Sequence, residues 1–460
     1  MKTFREIREK QSDFYRNLWD EVTHLKIIDT HEHLWDMADL SQLNRQGHRH
    51  EPFYPEDKQG NWLYPPALFY QGYVYIQDRG SYKNWVEELK KYNSSGYLRL
   101  WKIACEDLYG LEGPISAKFL QSLEEKVNQA YENDFQHNTY HHFSNILQNE
   151  MHVETVINDT FLGAHLKFPQ PSMKAAANLS SILDGIQVPS HPVELRHEKM
   201  TSNQLLVYWF VENKLGHNLA DIATLEDYLI ATNKLLNYVK STNSYCAVKI
   251  DVAYERTLQF NLPENKQLIT DIFNKKNPNQ RDIISFGNFM MHFILKWMSE
   301  NWRIPIQIHT GLARMYNRDS DALNLSNLFE MYPDLTFDIF HGNYPYGNLT
   351  GMMHQIPNIT ADFTWYPLIS PTAATRDLTE MLELGDMLRL NPIHTPKQRL
   401  SLFGGDTAII EAAYGALQMS KDVLVRSLED LYNRGHIFLT DAIDIAEEVL
   451  YRNPKRIFKL

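Results

Sequence analysis

Leu25-Lys26-Ile27-Ile28-Asp29-Thr30-His31-Glu32-His33-Leu34 decides the reading of this chain. An apolar run ends in a His-x-His pair. In an extended chain, side chains two apart point to the same side, so His31 and His33 face one point in space. Two imidazoles on one side of a strand's end suit a zinc, manganese or iron ion. Taken alone, the same ten residues are equally a strand edge that happens to carry two histidines. The second half of the chain separates the two readings.

Apolar runs ending in polar residues recur there. Counting from Leu25, strands are expected near 25, 153, 188, 245, 305, 335, 358 and 400. The third of these, residues 188–197, is interrupted by Pro189 and Pro192. Helical spacing marks residues 218–239, 282–302, 322–331 and 441–460 between and after them. Strand and helix in alternation mean parallel pairing, and eight such units close into a (β/α)8 TIM barrel. The expected fold is therefore α/β, with the barrel spanning residues 25–460 and an amphipathic N-terminal helix within residues 1–24. Residues 35–150 are too long and too helical for a strand-to-helix loop. They form an insertion after the first strand, with helices over 82–91, 96–108 and 116–133. Its position after the C-terminal end of that strand predicts that part of it covers the barrel mouth.

The chain of 460 residues is 43% hydrophobic, enough for a sizeable core. Cys105 and Cys246 give no disulfide framework, and no apolar stretch is long enough to span a membrane. A cytoplasmic protein is the resulting expectation. The formal net charge of -12 argues against nucleic acid as a partner. A small-molecule substrate is expected, and a homo-oligomer remains open.

In a barrel of this kind the chemistry sits at the C-terminal ends of the strands. His31 and His33 end the first expected strand, and Lys249 lies near the end of the fourth. His309 ends the fifth, His341 the sixth, and Asp406 the eighth, in Leu402-Phe403-Gly404-Gly405-Asp406-Thr407. Histidines and a carboxylate converging on one axis suit an open, catalytic divalent metal site rather than a closed structural one. Such a metal lowers the pKa of bound water and polarises a substrate carbonyl. A carboxylate beside that water accepts its proton, and a further histidine holds the developing oxyanion.

The order His31-x-His33, His309-Thr310-Gly311, His341-Gly342 and Gly405-Asp406 resembles the amidohydrolase superfamily, most closely its "amidohydrolase 2" type of metal-dependent hydrolases. Leu325-Ser326-Asn327-Leu328-Phe329, the Tyr332-Pro333-Asp334-Leu335 turn and the ending Asn453-Pro454-Lys455-Arg456-Ile457-Phe458 are similar to that family as well. The resemblance covers residues 25–34 and 245–460. It implies His31, His33, His309 and Asp406 as metal ligands, with Asp406 doubling as proton acceptor. It implies that His341 contacts water or substrate, or binds a second metal. Zinc is the first expectation for the ion, with manganese or iron as alternatives, and one ion is favoured over two. A lysine on the fourth strand is carbamylated in some members, but Lys249 reads as a salt-bridged or substrate-binding amine.

Gln307-Ile308-His309-Thr310-Gly311-Leu312-Ala313-Arg314 also resembles uronate isomerases, as do Leu98-Arg99-Leu100-Trp101 and Leu108-Tyr109-Gly110. The Arg-His-Glu stretch expected near the C-terminus of that family is missing. Four arginines, Arg196, Arg256, Arg314 and Arg318, lie near expected strand ends, where a guanidinium holds a carboxylate by paired hydrogen bonds. Lys249, Arg256, Arg314 and Arg196 are the candidate substrate-binding residues, and they point to an acidic substrate. Tyr254 and Trp365 are candidate flanking rings, whereas His292 reads as a satisfied core residue. The expected function is a metal-dependent hydrolase: metal-activated water attacks a carbonyl, ester, lactone or amide, with Asp406 and His341 as catalytic groups. The alternative is a non-hydrolytic relative, a uronate isomerase-like enzyme or a decarboxylase.

Overall fold

Eight strands run parallel and pair in sequence order. They are Ile27–Glu32 (β1), Val153–Asp159 (β2), Met173–Asn178 (β3), Tyr245–Ile250 (β4), Ile306–Ile308 (β5), Phe337–Ile339 (β6), Ile359–Asp362 (β7) and Leu400–Ser401 (β8). The computed structural model describes residues 3–34, 82–137, 139–159, 173–183, 222–254, 256–275, 277–313, 317–384 and 396–460. The segment after β8 returns to β1 and closes the ring. Thr30 N donates to Phe403 O at 2.9 Å, Asp406 N to His31 O at 3.1 Å, and His33 N to Thr407 O at 2.8 Å. The (β/α)8 barrel read from the sequence is the fold.

The third strand is not where the sequence reading put it. Residues 188–197 lie outside the described residues, and β3 is Met-Lys-Ala-Ala-Ala-Asn instead. Alanine is a poor strand former, so no local pattern announces this segment. Ala175, Ala176 and Ala177 are fully buried, and pairing to β2 on one side and β4 on the other makes the strand.

The expected single N-terminal helix is two, Phe4–Arg8 (α1) and Asp13–Thr23 (α2). Thr3 and Ser12 start them, each accepting a backbone N–H on its hydroxyl. Residues 35–81 of the insertion lie outside the described residues. The remainder forms Tyr82–Lys90 (α3), Gly96–Tyr109 (α4) and Ala117–His137 (α5), close to the expected spans. The insertion is tied to the barrel through Ile410–Asn433 (α6), the helix that follows β8. Buried Glu411 on its first turn accepts hydrogen bonds from Tyr109 at 2.7 Å and Tyr131 at 2.9 Å. One carboxylate thus links two insertion helices to the chain just beyond Asp406.

The barrel strands bury an uncommon number of acids. Asp29, Asp338 and Asp362 are fully buried. Burial raises the carboxyl pKa of each, and for Asp338 the charge of Asp362 adds to it. An acid whose folded pKa is raised opposes folding increasingly as pH climbs from its unfolded value of about 3.9 toward the folded one. Asp338→Asn keeps an oxygen for the Thr360 hydroxyl, which donates at 2.6 Å. It is therefore expected to melt higher than the parent near pH 8, by about 1 kcal/mol or more in stability, with the gap closing toward pH 4. Thermal melts across that range check this, and a gap that does not vary with pH would contradict it.

Candidate metal centre

Three donor atoms converge where β1 and the turn after β8 meet. His31 Nε2 lies 3.3 Å from His33 Nε2. Asp406 Oδ1 lies 3.4 Å from His31 Nε2 and 3.1 Å from His33 Nε2. Ligand atoms about 2.1 Å from one ion stand roughly 3.0 Å apart at right angles and about 3.4 Å apart at the tetrahedral angle. The three measured edges fall in that interval, so the donor set fits a single divalent cation. His31 Nδ1 is buried and has no hydrogen-bond partner among the described residues.

Asp159, at the end of β2, is a fourth group. A ring nitrogen of His31, one of His33 and an Asp159 oxygen all lie within 4.8 Å of one another. Asn178 Nδ2 donates to Asp159 Oδ2 at 3.1 Å. The sequence reading saw the strand but not this residue. The available signal was its position, the last residue of a strand whose C-terminal neighbour on β1 carries the histidines.

His309 and His341 pair with each other. His341 Nε2 lies 2.9 Å from His309 Nδ1, His341 Nδ1 lies 2.8 Å from Thr364 O, and His309 Nε2 lies 2.8 Å from Leu312 O. The outer nitrogens must donate to those carbonyls, so two neutral rings leave lone pairs facing one another in the middle. Facing lone pairs repel unless a proton or a cation meets them. Burial pushes His309 down to about 4 and holds His341 well below the usual histidine range, with positive Lys249 near His309 and His309 near His341 acting in the same direction.

Lys249 is 2% exposed, and its Nζ lies 3.4 Å from His31 Nε2 and 3.9 Å from the centre of the Phe340 ring. Burial lowers its pKa against the pull of Asp406, Asp159 and Asp251. Burial and the Lys249 charge hold His31 well below its usual value, which frees a lone pair. Asp406 is opposed by burial, yet hydrogen bonds to His31 and His33 hold it well below the usual carboxylate range.

His33 is the exception among the rings. Burial disfavours its charged form, but Asp406 and the charge of Asp159 outweigh burial and raise its pKa. A ligand nitrogen must shed its proton to bind a metal. Metal affinity is therefore expected to rise as pH climbs through the raised His33 value, with roughly one proton released per ion near pH 6.5. The stability of the metal-free protein runs the other way. The His33–Asp406 ion pair contributes fully below the ordinary histidine pKa of about 6.5 and is lost as pH rises through the raised one. Calorimetric titration in buffers of different ionisation enthalpy measures the proton count, and a heat independent of buffer would refute the assignment.

Backbone strain marks the same place. His341 (φ 63°), Trp365 (φ 63°) and Asp406 (φ 55°) all adopt the left-handed conformation that non-glycine residues avoid. Aromatic rings surround the histidines. Tyr254 packs on His309 with centroids 4.4 Å apart, and Trp365 on His341 at 5.1 Å. Tyr97 of insertion helix α4 reaches Trp365 at 6.5 Å, and the Asp406 charge adds to the burial that raises its hydroxyl pKa. The insertion thus contributes to the site, through a residue that sequence reasoning passed over.

Arg256 requires a correction. It is 2% exposed, and its guanidinium donates to Thr257 O, Ile284 O, Gln259 O and Asn288 Oδ1 while lying over the Phe260 ring. Those bonds hold a loop to the helix Gln280–Asn301, so it is not placed to grip a substrate carboxylate. Arg318 is exposed. Arg196 and Arg314 lie outside the described residues, as do His191, His197 and His394. His292 is satisfied in the core, by Tyr332 Oη at 2.9 Å and Asn261 O at 3.0 Å.

No helix among the described residues is long and apolar enough to cross a membrane. No family model matches the chain. A stretch of 160 residues, 34% of the chain, is 26% identical to Protein fluG of Emericella nidulans, and the match spans only 17% of that protein. Among solved structures, glucuronate isomerase from Caulobacter crescentus superposes with a TM-score of 0.68 at 13% identity, over 99% of this chain and 97% of that one. Uronate isomerase from Thermotoga maritima gives 0.67 at 15% identity, over 97% and 98%. A protein provisionally described as a metal-dependent hydrolase, from Lactobacillus casei, gives 0.58 at 15% identity, over 96% and 97%. At such identities the likeness is one of fold: this chain shares, over nearly its whole length, the barrel that carries those enzymes.

Proposed function

We propose that this chain is a metal-dependent hydrolase of the amidohydrolase superfamily, acting on a carbonyl, ester, lactone or amide of a small substrate. One observation carries the reading: His31 Nε2, His33 Nε2 and Asp406 Oδ1 stand 3.1–3.4 Å apart where the end of β1 meets the turn after β8 of a (β/α)8 barrel. A bound divalent ion, zinc before manganese or iron, supplies Lewis acidity and makes water a nucleophile near neutral pH. His31, His33 and Asp406 hold it, with Asp159 or His309 completing the set. Asp406, kept ionised, accepts the proton of the attacking water and passes it to the leaving group. His341 meets the substrate oxygen. Lys249 is the described cation nearest the centre and favours an anionic group on the substrate, while Tyr97, Tyr254 and Trp365 wall it in.

The same barrel carries uronate isomerases, with TM-scores of 0.54 to 0.68 that bracket the 0.58 of the hydrolase, so one alternative is an aldose–ketose isomerisation of a sugar acid on the same ligands. Turnover in 18O-labelled water separates the two. Metal-loaded protein is offered small esters, lactones, amides and uronates. A product that gains one labelled oxygen in its new carboxylate supports hydrolysis. Conversion of uronates without gain of water, and of nothing else, replaces the hydrolase reading with the isomerase one. Elemental analysis is expected to find about one divalent ion per chain, and protein that neither carries nor takes up metal would sink both.

A further inference from the structure

Glu32 stands between the two site histidines and is fully buried, yet its carboxylate does not join their ring nitrogens. It turns to the loop after β8. Oε1 accepts the Gly405 N–H at 2.9 Å, and Oε2 accepts the Thr407 N–H at 2.6 Å and the Thr407 hydroxyl at 2.9 Å. These are the residues on either side of Asp406. Asp406 itself sits at φ 55°, in the left-handed region that L-residues enter at a cost, aspartate more readily than most. A Cβ on Gly405 would come within 2.1 Å of Glu32 Oε1, so the glycine before Asp406 makes room for this carboxylate.

We infer that Glu32 is the positioning residue for Asp406. By gripping the amides before and after it, Glu32 holds residue 406 in the left-handed turn that brings Oδ1 to His31 and His33. A carboxyl group suits the task because its two oxygens together offer several lone pairs, enough to meet both amides and the Thr407 hydroxyl. The role assigned to Glu32 is to place Asp406, not to bind ion or substrate itself. Its effect on metal binding rests on the metal-centre reading above, but its grip on the loop does not.

The test uses full-length Glu32→Ala, Glu32→Gln and Thr407→Val. The first readout is amide hydrogen exchange of the peptide spanning residues 402–410 in chelator-treated protein. The second is Co2+ affinity by competition with a chelator, together with the visible spectrum of the cobalt form. Glu32→Ala is expected to speed exchange in that peptide by on the order of tenfold and to weaken Co2+ by roughly 10–100-fold, the scale known for residues that orient metal ligands. It should also shift the cobalt bands. Glu32→Gln should rescue part of both, because its carbonyl still accepts while its amide faces an N–H donor. Thr407→Val should move both in the same direction by less. If all soluble variants keep parental exchange, Co2+ affinity and spectrum while melting lower, Glu32 is a structural acid only and the inference is overturned. Should Glu32→Ala fail to fold, Glu32→Gln and Thr407→Val decide by the same criteria. If the parent binds no metal, the metal-centre reading has failed, and exchange in the metal-free variants alone supports or overturns the grip of Glu32.

Discussion

Asp406→Asn is expected to fold, to retain part of its metal, and to lose turnover by about a hundredfold or more, the scale of general acid–base catalysis. The structure explains why this variant is clean. Residue 406 has φ 55°, and asparagine is among the few residues that tolerate the left-handed region, so the turn survives the exchange. One side-chain oxygen remains to face His31 and His33. The charge is gone, and with it the ionised, proton-accepting carboxylate that the two histidines stabilise by holding the carboxyl well below its usual range. The raised pKa of His33 depends on the same contact, so its value should fall in the variant. Steady-state kinetics on whichever substrate the screen returns, with metal content measured on the same sample, give the comparison. Undiminished turnover would make Gly404-Gly405-Asp406 a simple turn and remove Asp406 from the chemistry.

His31→Asn should behave differently and lose the ion along with activity. His31 is fully buried, and its Nε2 faces Asp406, His33 and Lys249 within 3.3–3.4 Å. A shorter side chain cannot bring a donor to that point, and the remaining His33 and Asp406 are left as an ion pair with little reason to open. Metal affinity should drop by about a hundredfold or more, beyond the roughly 10–100-fold of residues that merely orient ligands. Elemental analysis after gel filtration, set beside Asp406→Asn, reads the difference. Equal metal retention in the two variants would place the ion elsewhere, and the facing nitrogens of His309 and His341 would be the next place to look.

The (β/α)8 barrel was legible because each signal for it is local. Strands ending in His31, His309, His341 and Asp406 can be read from apolar runs a few residues long, and the rule that chemistry gathers at their C-terminal ends needs no coordinates. Met173–Asn178 was not legible. Three alanines carry no strand signal, and only the ladders to β2 and β4 select the extended form. Arg256 misled for a related reason. A guanidinium near a strand end looks the same in sequence whether it meets a substrate or four protein oxygens.

By itself, the sequence determined which residue types stand at the strand ends and in what order, since a period of two and a parallel alternation are properties of the chain alone. It thereby determined that His31 and His33 share a side. Only the tertiary structure decided what they share it with. Asp159, Asp406 and Lys249 come from segments far apart in the chain, and their distances to His31 follow from barrel closure. The same closure decided the protonation of the site. Whether His33 is charged and His31 neutral depends on burial and on neighbours a few ångströms away, and neither is a function of sequence separation. It also gave Glu32 its role, because the amides that Glu32 holds lie more than 370 residues further along the chain.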